Sequence, residues 1–147
     1  MFQVKSALAE IARGNKDAEA FLFAFYAWAH SLDDLIDRDK PAQADGAVWA
    51  HTHLFFTLAG NAFFQEHQRS ILPVVLVNAL AYVSSEELKG RANVLDRITA
   101  QVLKSQYMDV FFIVAFVVGG YDHAMAMNRK YREYSFDAEP VTGGGRT

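Results

Sequence analysis

From Asn15 to Lys40 the chain carries neither glycine nor proline. Gly14 ahead of this stretch and Pro41 behind it supply the stop signals that bracket a long helix, with Asn15 as its N-cap. Breakers are scarce elsewhere too: there are three prolines, and the glycines are concentrated at Gly119, Gly120 and Gly143 to Gly145. No alternating β-branched run is closed by an Asn-Gly or Asp-Gly turn. The pattern predicts an all-α fold, a single-domain helical bundle of about five or six helices. With 147 residues and 52% hydrophobic composition, one domain with a substantial core is the expected size class.

The expected helices cover residues 4–12, 16–38, 46–67 and 71–83, the last with Pro73 in its first turn, where a missing N–H costs nothing. Ser84 with Glu87 three residues on has the form of a capping box and starts a fifth helix. That helix either continues through 110–118 or restarts near Ser105, and Gly119-Gly120 ends or kinks it. A final helix from Tyr121 closes a bundle spanning 1–134, and 135–147, with Pro140 and three glycines, reads as a flexible tail.

Charge and composition narrow the function classes. The net charge of -3 with no basic block makes nucleic acid an unsuitable partner. The absence of cysteine rules out disulfides and thiolate zinc, so any metal is held by oxygen or imidazole, and a cytoplasmic location is expected. The N-terminus has no uninterrupted apolar core of an export signal. The apolar runs 71–83 and 110–121 fall short of the roughly 20 residues a membrane span needs, so no span is expected.

Within 16–38, a rotation of about 100° per residue puts Phe21, Phe25, Trp28, Leu32, Leu35 and Ile36 on a core side, and His30, Asp33, Asp34 and Asp37 together on another. Crowded carboxylates repel by a few tenths of a kcal/mol per pair. Near a helix C-terminus the dipole disfavours each by roughly 0.3–1 kcal/mol. A divalent cation reverses both effects, and Mg²⁺ typically takes one or two carboxylates with waters and substrate phosphates. The other reading is a solvated acidic helix end, partly neutralised by Arg38 and Lys40.

Asp33-Asp34-Leu35-Ile36-Asp37 spells DDxxD and follows the aromatic and small run Phe25 to Leu32. Together they resemble the first aspartate-rich helix of squalene/phytoene synthases and, more loosely, of prenyl diphosphate and terpene synthases. The resemblance covers about 20 residues by the span of the motif-bearing helix. It implies Mg²⁺, with Mn²⁺ as the alternative, bridging Asp33, Asp34 and Asp37 to a diphosphate, with His30 assisting and Phe23 and Tyr26 lining an apolar cavity. No second acidic motif follows on a later helix. The expectation is thus a shortened helical protein binding or acting on a small diphosphate-bearing molecule.

On the third expected helix His53 shares a side with Trp49, Phe56, Gly60 and Phe64, and with Asn61 it is a further pocket-lining candidate. Arg91, Arg97, Lys104, Arg129, Lys130 and Arg132 are able to supply phosphate contacts, but on late helices they are expected on solvated faces. The 12 Phe, 6 Tyr and 2 Trp exceed what one small core readily covers, which predicts a homo-oligomer. The alternative function is a non-enzymatic oligomerisation or interaction module whose acids keep one helix end soluble.

Overall fold

A computed structural model describes residues 3–37 and 44–133. Among them the chain is helical almost throughout: α1 Val4–Ile11, α2 Lys16–Asp37, α3 Ala44–Gly60, α4 Ala62–Lys89, α5 Val94–Lys104, a 3₁₀ turn Ser105–Met108, and α6 Asp109–Tyr131. The all-α bundle expected from the breaker pattern is the fold observed. The tail expected at 135–147 lies outside the described residues.

Asparagines set three of the helix starts. Asn15 Oδ1 accepts from Ala18 N–H at 3.0 Å, after Arg13 and Gly14 turn the chain with positive φ. Asn93 caps α5 through Leu95 N–H at 2.8 Å. Asn61 is buried; its Oδ1 accepts from Phe64 N–H while its Nδ2 donates to the Asp17 carbonyl, both at 2.8 Å. This one side chain starts α4 and fastens it to the first turn of α2.

The boundary at Asn61 moves two expected features. The third helix stops at Gly60 instead of reaching 67, and α4 begins at Ala62 and runs through Pro73. Pro73 lies on the exposed side of α4, where the carbonyl it leaves unbonded can meet water. The expected capping box at Ser84 does not form. Ser85 donates to the Tyr82 carbonyl at 2.7 Å, satisfying its hydroxyl within the helix, and α4 continues to Lys89.

The core is built from α1, α2, α4 and α6: Leu8, Ile11, Phe21, Leu22, Phe25, Phe63, Phe64, Ile71, Phe111 and Val114 are all buried. Phe21 stacks on Phe64 at 5.4 Å, and Phe25 meets Phe111 edge-on at 6.3 Å. Each such buried side chain contributes about 1.5–3 kcal/mol. In α2 the buried positions end at Phe25, so Leu35 and Ile36, expected in the core, are exposed. The second half of α2 has left the core by the time it reaches the aspartates.

In α6 the helix kinks at Gly120, whose φ of 79° suits glycine. Arg13 donates to the Gly119 carbonyl at 3.3 Å, and His123 Nε2 lies 3.0 Å from the Ile11 carbonyl. Further along, Lys130 and Tyr131 both donate to the Glu10 carboxylate. Hydrogen bonds from Lys130 and Tyr131 hold the Glu10 carboxyl below its usual range.

Several helices leave apolar residues uncovered. In α3 only Ala50 is buried, while Trp49, Phe55 and Phe56 are exposed. On α4 Leu72, Leu76, Val77, Leu80 and Val83 face outward, and on α5 Val94, Leu95, Ile98 and Val102 do. By length and composition alone, Ala62–Lys89 and the stretch Val94–Tyr131 qualify to cross a membrane. In both, the runs free of charge are shorter than the helices that contain them.

Candidate functional site

The C-terminal half of α2 brings its acids against α4 and α5. Asp33 Oδ1 accepts from the Tyr82 hydroxyl at 2.8 Å and lies 3.0 Å from Lys104 Nζ. Asp37 Oδ2 lies 3.2 Å from the same Nζ, and Asp37 Oδ1 accepts from Lys89. Glu86, one turn before Lys89, adds a contact to that ammonium at 3.6 Å. Two carboxylates one helical turn apart therefore share a single ammonium and hold a second.

Burial decides how strongly these charges interact. The Asp37 side chain is only 7% exposed, whereas those of Lys104 and Lys89 are 33% and 50% exposed. Burial pushes the Asp37 carboxyl up, but the Lys89 and Lys104 hydrogen bonds outweigh it and hold it below its usual range. For Lys104, desolvation is opposed by Asp33 and Asp37, and for Lys89 by Asp37; both ammoniums are held above the usual lysine range. Burial and the Asp33 carboxylate push the Tyr82 phenol far above its usual value. Across the physiological range Asp37 therefore stays ionised, Lys89 and Lys104 stay protonated, and Tyr82 stays neutral.

Aromatic rings extend from the acids towards the core. The His30 ring sits 4.2 Å from Tyr26 and meets Tyr107 edge-on at 5.8 Å. Tyr107 continues to Phe111 at 5.8 Å, and its phenol is pushed up to about 12, burial being the main cause. The line from His30 through Tyr107 to Phe111 runs into the apolar interior.

The residues singled out in the sequence are distributed unevenly. Asp33 and Asp37 converge; Asp34 is exposed and stands outside their shared contacts. His30, one turn before Asp33 on α2, packs its ring at a tilt against Tyr26 one turn further back. Phe23 is ten residues before Asp33, about 15 Å along the helix, and lines a shallow groove with Lys5, Leu8, Lys16, Glu19 and Ala20. His53 stacks on Trp49 at 4.9 Å and touches Phe23 edge-on at 6.3 Å. Asn61 is the α4 cap. Phe23, His53 and Asn61 thus belong to the far half of α2 from the aspartates.

Lys89, Tyr82 and Tyr107 carry no signal in the sequence that marks them as site residues, and Lys104 stands there only as one of six cations able to contact phosphate. Lys104, expected on a solvated face as a cation of a late helix, instead turns inward to Asp33 and Asp37, while the apolar side of α5 faces outward. Lys130 and Arg132 are also engaged, the first with Glu10 and the second with Asp109 at 2.7 Å. Among the described residues, no three His, Cys, Asp or Glu side chains gather as a metal-binding group. Family models, curated proteins and solved structures return no match to this chain.

Proposed function

We propose that the junction of α2, α4 and α5 binds the diphosphate group of a small molecule together with a divalent cation, Mg²⁺ or Mn²⁺. The observation that carries this reading is the position of Lys104 Nζ, 3.0 Å from Asp33 and 3.2 Å from Asp37. The two carboxylates are already spaced to share one cation. Mg²⁺ commonly takes no more than two protein carboxylates and completes its shell with water and phosphate oxygens, so Asp33 and Asp37 suffice without a third acid.

The chemistry of the site is an exchange of partners. Asp33 and Asp37 would hold the ion, and Lys104 and Lys89, relieved of the carboxylates, are then placed to donate to phosphate oxygens. Tyr82 keeps its proton in this environment and stays a donor. Neither half of the ligand fits alone, because a cation alone strands two ammoniums and a phosphate alone strands two carboxylates. The bound ion supplies charge neutralisation to the diphosphate. The rings of Tyr26, His30 and Tyr107 offer an apolar side to the rest of the molecule.

Thermal melts with Mg²⁺ alone, pyrophosphate alone and both together test the reading, since a ligand bound only by the folded state raises stability by RT ln(1 + [L]/Kd). The combination is expected to raise Tm by more than the two separate shifts together, and Asp37→Asn to remove the excess. Equal behaviour of all three conditions would overturn the proposal.

A further inference from the structure

The helix α5 is amphipathic in the wrong sense for a monomer. Counting about 100° per residue, Val94, Leu95, Ile98 and Val102 share an arc of about 100°, and all four are exposed. Buried Ala100 lies opposite, and Lys104 turns to the aspartates from the far side. Its neighbour in the hairpin, α4, repeats the arrangement. Leu72, Leu76, Leu80 and Val83 fall within about 80° by the same counting, opposite Ile71, Asn78 and Ser85, which are buried. From Ser70 to Ser85 α4 has no charged residue.

We infer that this hairpin face docks on the same face of a second copy of the chain, with the two α4 helices antiparallel across a twofold axis near Asn78. Charge selects the orientation. Arg69 and Glu87, both exposed, lie on the meridian of the α4 stripe, one beyond each end. Antiparallel pairing sets Arg69 of each copy beside Glu87 of the other, and Leu76 against Leu80; parallel pairing sets like charges together. The result is a four-helix arrangement in which both α5 helices flank the seam.

Length and charge favour this occupant over a bilayer. The eight side chains supply on the order of half of the roughly 800 Å² that each partner gives a standard interface, with Val77, Ala79 and the hairpin flanks adding to it. The charge-free run of α4 from Ser70 to Ser85 rises about 24 Å, short of the roughly 30 Å hydrocarbon thickness. Its flanks carry Glu66, Glu86, Glu87 and Asp96 in equal number with Arg69, Lys89, Arg91 and Arg97, a balance unlike the basic collar that binds an anionic surface.

Light scattering at micromolar concentration should give the mass of two copies, and Leu76→Asp with Leu80→Asp should give one copy with unchanged helical circular dichroism. Arg69→Glu alone, or Glu87→Arg alone, should weaken dimerisation about tenfold, and the double variant should recover to within about threefold of the original. A single-copy mass for the unaltered chain would overturn the inference. So would a double variant no tighter than the singles, or a single-copy chain that co-sediments with phosphatidylcholine–phosphatidylglycerol vesicles. Each readout is independent of Mg²⁺ and pyrophosphate, so it stands or falls separately from the ligand site.

Discussion

The Tyr82 hydroxyl donates to Asp33 at 2.8 Å across the interface of α4 and α2, a bond between residues 49 positions apart. It fixes the carboxylate on the side that also faces Lys104. Replacing Tyr82 by Phe keeps the ring and removes only the donor, so a loss of about 1 kcal/mol in urea unfolding is expected. In the ultraviolet titration the missing phenol should be a late-ionising one. Tyr82 stays protonated far into alkali, so the number of tyrosines ionising by about pH 11, near the free phenol range, should be the same in both proteins. A phenol lost from that early group would contradict the placement of Tyr82.

The acid and alkaline limits of stability follow from the same cluster. Asp37 has a folded-state value below its usual 3.8, so its contribution is complete above that value and is lost as pH falls through the lowered one. Lys89 and Lys104 are raised above 10.5; their contribution is complete below 10.5 and is lost as pH rises through the raised values. A plateau between about pH 5 and 9 is expected from these reference values, measured as chemical unfolding free energy. Asp37→Asn should lower the plateau by about 1–3 kcal/mol, because it leaves two partly buried ammoniums with a weaker partner. It should also flatten the acid limb.

Asn61 performs two structural tasks with one amide. Asn61→Ala leaves Phe64 N–H and the Asp17 carbonyl without these partners, and a loss of about 1–3 kcal/mol is expected. Asn61→Asp keeps the acceptor for Phe64 but not the donor for Asp17. Its melting temperature should fall between those of the parent and the alanine variant.

Gly119 is fixed by contact. A Cβ there would approach the His123 side chain to 2.5 Å, with the His123 Cβ itself at 2.6 Å, so rotating the ring cannot relieve it. Gly119→Ala should cost about 1–3 kcal/mol through overpacking. Hydrogen exchange should show α1 opening more often, because His123 no longer reaches the Ile11 carbonyl.

Periodicity in the sequence located the helices where punctuation was local: Gly14 and Asn15 before α2, and Gly119-Gly120 at the kink. It failed at Pro73, because the choice between starting a helix there and carrying one through the proline depended on Asn61, which finds its second partner in Asp17. The same limit applies to the site. Counting residues put Asp33 and Asp37 on one meridian, but it assigned Asp34 equally. Only the placement of α4 and α5 separates them, through Lys104, Lys89 and Tyr82. Amphipathicity states which residues share a face, not which way that face turns, and α5 turns opposite to the usual sense.

The clasp between Glu10 and the Lys130–Tyr131 pair joins positions 120 and 121 residues apart. During synthesis the first helix emerges long before its donors on α6 exist, and its contacts with α6 wait until that helix has been made. Closure of α1 onto α6 is therefore a late event of folding, with the slow kinetics of a distant contact. A nascent chain arrested before α6 should leave Leu8 and Ile11 open to proteases and chaperones.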